Sequence, residues 1–300
     1  MTGDSILKGI GLRILAAALM ATMGALIKLA ETLGAGLADT MFFRQLCALP
    51  VVTFYLWRTV GLGAVRTQRF PAHLGRTAAG LVGMCFTFGS IHLLPLAEAT
   101  TFQFTAPLFA TLLGAVWLRE PTGIHRWAAV AVGFAAIVII AEPGGHSIPL
   151  ASAGVGLMAG FMIAVTSVLL RQIGRTEGAG TTVFWFSALS VPPLLLFWLT
   201  DLRAHPPMVW AILAAIGVVG GMGQIALTAA LRHGPVSVIV PMDYSSLLWA
   251  TALGWLLFDQ FPSRSTWIGA PILIGSGIYI AWREHRRRLS STPAVPQSSG

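Results

Sequence analysis

The chain is a succession of apolar stretches, each closed by glycine, proline or charged residues. A helix needs about 20 mainly apolar residues to cross a bilayer, and these stretches have that length. With Gly, Pro and charge clusters as boundaries, ten helices are predicted. They lie near residues 8–31, 38–58, 72–93, 96–118, 124–141, 151–172, 179–199, 207–231, 235–257 and 265–282. Only 10% of the 300 residues are charged, against about a quarter in a soluble domain. Mean hydropathy is +0.77. The expected fold class is an all-α membrane protein, and no connection is long enough for a separate soluble domain.

A pI near 10.7 raises the question of nucleic acid. The basic residues are scattered between apolar segments and form no continuous stripe, so nucleic acid is excluded. They follow the bias of membrane proteins instead. Ten spans put both termini on one side, and 15 of the 19 Lys and Arg fall there, Arg13 and Arg76 among them. Arg203 and Arg264 fall opposite, while Lys28 and Arg44 lie within spans. This places both termini in the cytoplasm of a bacterial-type inner membrane. The first apolar run reads as an uncleaved span rather than a signal peptide. Cys47 and Cys85 lie in apolar runs, with no disulfide or metal pattern.

A shift of 140 positions aligns the chain with itself. Gly114 meets Gly254, Thr111 meets Thr251, Pro95 meets Pro235 and Trp127 meets Trp267. Residues 1–142 and 148–282 therefore form two five-helix repeats, followed by a basic, disordered tail at 283–300. Five is odd, so the second copy enters the membrane inverted. Inverted repeats are found in many secondary transporters, with substrate held near the midplane between them. Two similar halves can exchange conformations, which opens a central cavity to one side and then the other.

Residues 94–140 and 233–282 each combine a mid-span proline or small-residue patch, an exit acid and a Gly-rich closing helix. Each resembles the end of an EamA repeat of the drug/metabolite transporter superfamily. FFRQLCALP at 42–50 is similar to that family's second helix. The resemblance implies an inner-membrane exporter of small metabolites. Relatives include exporters of aromatic amino acids, and others move nucleotide sugars, triose phosphates, riboflavin-like compounds or cationic drugs. The exit residues differ between repeats, Arg119-Glu120 against Asp259-Gln260, so the exit acid reads as structural.

The candidate binding residues cluster on the fourth and ninth helices. Under the shift Gln103 pairs with Asp243 and Phe104 with Tyr244, which suggests equivalent depths. Ile239, Asp243, Ser246 and Ala250 make one helical stripe; Ala99, Gln103, Ala106 and Ala110 make its counterpart. A carboxylate within a span costs about 2.5–3.5 kcal/mol on insertion scales. Asp243 therefore faces a shared cavity with Gln103, or else pairs with Tyr244 or a neighbouring helix. Gln224 is a third polar candidate among close-packing glycines. Pro107 and Pro241 act as hinges or as fixed kinks. Arg44 meets a substrate carboxylate, snorkels outward, or pairs with Glu31 or Glu98; Lys28 is expected to snorkel. Phe42, Phe88, Phe104, Trp185, Tyr244 and Trp249 are candidate aromatic walls.

An apolar pocket with one acid and two amides suits a zwitterionic amino acid, aromatic or otherwise neutral. It suits a polyphosphate poorly. Efflux of cationic drugs is the runner-up, because a lone Asp243 also suits a cation. There is no HExxH, GxSxG or paired catalytic carboxylate, so an enzyme is not expected, and no cofactor or metal is called for. A passive channel stays open. The partners expected are a small solute and the lipid bilayer, with the chain as a monomer.

Overall fold

The computed structural model describes residues 3–116, 123–142, 148–174, 176–230, 233 and 239–290. Among them the secondary structure is helical throughout. The first repeat contributes α1 (Gly3–Thr32), α2 (Leu37–Thr59), α3 (Phe70–Leu93), α4 (Leu96–Gln103), α5 (Ala106–Val116) and α6 (Ile124–Ala141). The second contributes α7 (Leu150–Ile173), α8 (Ala179–Leu199), α9 (Pro207–Ala230), α10 (Ser245–Phe258) and α11 (Arg264–Ser290). A 3-10 turn, Val240–Tyr244, leads directly into α10. Nine helical spans among the described residues are long and apolar enough to cross a membrane. Residues 235–238 of the ninth predicted span, like the Arg119-Glu120 exit pair, lie outside the described residues.

Local chemistry explains the ends. Gly34, at φ +94°, closes α1: Gly34 N–H donates to Glu31 O and Ala35 N–H to Ala30 O, each at 2.9 Å. A left-handed glycine just past a helix is the conformation that allows this closure. Pro71 sits in the first turn of α3, where its missing N–H leaves no carbonyl unpaired. Asp259, the exit acid of the second repeat, is the left-handed cap of α10. One boundary needs correction: the tail was expected to be disordered from 283, but α11 continues to Ser290.

The packing repeats itself. α1 lies along α9, and α7 lies along α3, so each repeat's first span packs on the other's third. α2 packs on α9 as α8 packs on α3. Three pairs join a span to its own counterpart: α2 to α8, α4 to α10, and α6 to α11. Self-pairing of this kind is what a two-fold relation between the halves requires, because only elements at the axis can meet their own copies.

Close approach depends on small residues, as in other membrane bundles. A Cβ on Gly217 of α9 would stand 2.6 Å from the Phe43 carbonyl oxygen of α2. One on Gly160 of α7 would stand 2.9 Å from the Phe102 carbonyl oxygen. The outer surface is apolar, with Ile124, Leu150, Leu248 and Leu256 widely exposed. Such a surface is at home in lipid and would aggregate in water.

Candidate functional site

The fourth and ninth spans both break at shift-matched positions. α4 ends at Gln103, and α5 starts at Ala106. In the ninth span the 3-10 turn ends at Tyr244, and α10 starts at Ser245. The break has the same internal bond in both copies. Thr105 Oγ1 donates to Phe102 O, and its counterpart Ser245 Oγ donates to Met242 O, each at 2.7 Å. Pro107 sits in the first turn of α5 and Pro241 in the first turn of the 3-10 segment. The hydroxyls bond carbonyls at breaks where proline removes a donor.

Between the breaks, Phe104 and Tyr244 meet edge to face, 4.9 Å between centroids. They are each other's shift partners, so the contact marks the axis. The Tyr244 hydroxyl lies against Gly277 of α11, where any Cβ would collide with it. Gln103 and Asp243 flank this pair. Inverted copies run through the bilayer in opposite directions, so the residues preceding the axis pair lie on opposite sides of it. The Gln103 amide makes no hydrogen bond among the described residues, and neither does that of Gln224; both side chains are partly buried.

Asp243 is not a lone acid. Arg13 of α1 donates to it twice, Nε to Oδ1 and Nη2 to Oδ2, and Nη1 donates to Leu227 O of α9 at 3.0 Å. The Arg13 side chain is 6% exposed and that of Asp243 is 36% exposed. Pairing with a neighbouring helix, the alternative to an Asp243 that faces a shared cavity, is thus what the geometry has. Ser246 turns its hydroxyl back to Asp243 O at 2.7 Å, so it lends no free donor to a cavity.

Other residues lie elsewhere than expected. Trp185 was a candidate wall at depth, but its Nε1 donates to Val65 O at 2.9 Å. It ties α8 to the connection between α2 and α3, at the end of the bundle that holds the termini. Trp249 is exposed on the flank of α10, without a ring partner among the described residues. Phe88 is buried in the core. Phe42 stacks on Trp198, 5.1 Å between centroids, at the far end. Arg44 pairs with neither Glu31 nor Glu98: its Nη1 donates to Gln45 Oε1 at 2.8 Å, and its Cζ lies 5.9 Å from the Phe186 ring centroid. Lys28 does not snorkel. Its Nζ donates to Ile91 O and His92 O, each at 3.0 Å, beside Glu31.

Asp39, which the sequence reading did not single out, and Glu98, named there only as a partner for Arg44, organise the far end. Asp39 accepts from Trp198 Nε1 at 2.8 Å and Gly36 N at 2.7 Å, and meets His205 Nε2 at 3.1 Å. Glu98 Oε1 accepts from Ser263 N at 2.9 Å. Arg13 and Arg76 were assigned to the membrane edge by the charge bias, yet both are buried. The available signal was their position well inside the boundaries of α1 and α3.

Comparison with known proteins places this arrangement. The EamA-like transporter family matches residues 7–141 and again 151–282. A riboflavin transporter of Vibrio cholerae is 31% identical over 80% of this chain and 82% of its own. A pseudopaline exporter, CntI, of Pseudomonas aeruginosa is 29% identical over 91% and 96%. An S-adenosylmethionine uptake transporter of Rickettsia bellii is 25% identical over 82% of each chain. A solved crystal structure at 20% identity superposes with a TM-score of 0.60, covering 96% of this chain and all of that one.

Proposed function

The chain belongs to the EamA-like transporter family of small-molecule membrane transporters, and from that premise we propose that it exports a zwitterionic amino acid by alternating access. The observation that supports this is the pair of broken spans meeting at Phe104 and Tyr244. A break beside a proline leaves the two halves of a span free to tilt separately. Pro107 and Pro241 are then hinges of the exchange, and the aromatic pair is its pivot. In this reading Gln103, Gln224 and Tyr244 supply the few polar groups of an otherwise apolar site, the composition expected for a small molecule. The two repeats, 1–142 and 148–282, are the moving halves, with both termini in the cytoplasm and the inner membrane as location.

Cationic efflux loses its main support, because the charge of Asp243 is already matched by Arg13. A larger heteroaromatic cargo is the second reading, favoured by the relative named a riboflavin transporter. The test is counterflow of labelled phenylalanine into proteoliposomes loaded with unlabelled neutral amino acids, with riboflavin as a parallel label. The expected result is phenylalanine accumulation that Gln103→Ala reduces at least about ten-fold, on the scale of a lost polar contact. Accumulation of riboflavin alone would replace the amino acid as cargo, and accumulation of neither would refute both readings.

A further inference from the structure

Two buried guanidinium groups in the bundle have no acidic partner among the described residues. Arg76 of α3 lies with Cζ 3.8 Å from the Phe186 ring centroid, and Arg44 of α2 lies near the same ring at 5.9 Å. The ring, on α8, packs directly over Gly80 of α3: a Cβ there would stand 2.6 Å from Phe186 Cε2. Both arginines are more than nine-tenths buried. Arg76 Nε and Nη1 and Arg44 Nε are buried without any hydrogen-bond acceptor. On the same two helices, α3 and α8, Thr77 Oγ1 and Ser190 Oγ are also buried and unbonded, as are both ring nitrogens of His73. His73, Arg76 and Thr77 share one face of α3, and Phe186 and Ser190 share one face of α8.

The acids that could have neutralised this cluster are engaged elsewhere. Asp243 holds Arg13, Asp39 holds Trp198, and Glu98 holds Ser263. Glu177 comes within 4.0 Å of His73 Nε2, but no ion pair joins either arginine to a carboxylate among the described residues. Stacking on Phe186 uses the face of a guanidinium and leaves its edge N–H groups unsatisfied. Burying such donors without acceptors is costly. Two such groups, from α2 and α3, meeting at one ring of α8 describe a receptor for an acceptor that the protein itself does not supply.

We infer that Arg44 and Arg76, set against Phe186, receive the anionic group of the cargo, a carboxylate or a phosphate. The inference rests on the transport reading and supplies the charge selectivity which that reading leaves open. The planar fork of arginine matches the geometry of both anions. Thr77 and Ser190 add neutral donors, and the Phe186 ring offers an apolar surface beside the charge. The interior is thereby selective for anionic and zwitterionic solutes over cations.

The test is ligand binding by the full chain in nanodiscs, read as thermal stabilisation titrated with four probes. These are 3-phenylpropionate, phenyl phosphate, neutral 3-phenylpropionamide and cationic phenethylamine. The expected result is that one anion binds at least about ten-fold tighter than the amide, the size of a charge-assisted hydrogen bond. The better anion identifies the group. Arg76→Gln and Arg44→Gln each bring that ratio close to one. Should the glutamine variants fail to fold, Arg76→Lys and Arg44→Lys keep the charge but lose the fork, and the ratio falls at least three-fold. Equal binding of anion and amide, binding of no probe, or an anion preference that survives in folded variants would overturn the inference. Phenylalanine counterflow on the same preparations separates the two claims. Counterflow without anion preference removes the site and leaves transport standing, whereas arginine-dependent anion binding without counterflow does the reverse.

Discussion

Arg13 and Asp243, 230 positions apart, are joined by two parallel hydrogen bonds that tie the first span to the ninth. The pair bridges the repeats close to the point where the ninth span changes from 3-10 turn to α-helix. A buried guanidinium that loses its carboxylate is left uncompensated, and breaking a buried pair costs about 3–5 kcal/mol. Asp243 keeps partial access to its surroundings, so Asp243→Asn should fall at the low end, about 3 kcal/mol. The double variant Arg13→Gln with Asp243→Asn should be more stable than Asp243→Asn alone. Thermal unfolding in nanodiscs measures both. Additive losses would mean that the two side chains do not interact in the folded protein.

The axis contact makes a second prediction. A methyl at Gly277 collides with the Tyr244 hydroxyl, and overpacking of this kind costs about 1–3 kcal/mol. Gly277→Ala should therefore lower both stability and the transport rate. Adding Tyr244→Phe removes the oxygen and should restore part of each. If Gly277→Ala behaves as wild type, Tyr244 does not occupy this position.

Glycines offer a paired comparison within one protein. Gly160→Ala sets a methyl against Thr105 and the Phe102 carbonyl, at the break of the fourth span. Gly11 has nothing within 4 Å of the position of its Cβ. Gly160→Ala should lower the melting temperature clearly. Gly11→Ala should leave it unchanged or raise it, because alanine favours helix by about 1 kcal/mol over glycine.

The far end has its own tie. Asp39→Ala frees Trp198 Nε1, the Gly36 N–H and His205 together. Loss of a charge-assisted bond costs about 1.5–3 kcal/mol. A cysteine placed at Ala35, which is buried beside this cluster, should react faster with a membrane-impermeant maleimide in the Asp39→Ala background. An unchanged rate would show that Asp39 does not hold this end closed.

The spans and their breaks were legible because the bilayer enforces them. Its thickness demands apolar runs of about 20 residues, and Pro107 and Pro241 mark where the runs cannot continue as plain helix. Self-similarity at 140 positions likewise pointed to the Phe104–Tyr244 relation before any contact was known. The partner of Asp243 was not legible. Arg13 lies well inside α1, and a bias in Lys and Arg counts residues without saying which way they point. The same ambiguity hid Arg76, whose aromatic partner Phe186 lies more than 100 positions away on another repeat. Trp185 misled for a related reason. Its place within α8 suggested depth, but a turn after α2 reaches back to bond its indole. Side-chain direction and long-range pairing depend on packing, and a hydropathy pattern carries neither.

The most direct measurement is trans-stimulation in proteoliposomes. Vesicles are loaded with labelled phenylalanine, and efflux is followed with and without unlabelled phenylalanine outside. A carrier that alternates about the Phe104–Tyr244 axis returns faster when loaded, so outside solute should accelerate efflux of the label. Efflux that proceeds at one rate whatever lies outside would contradict alternating access and identify a passive pore.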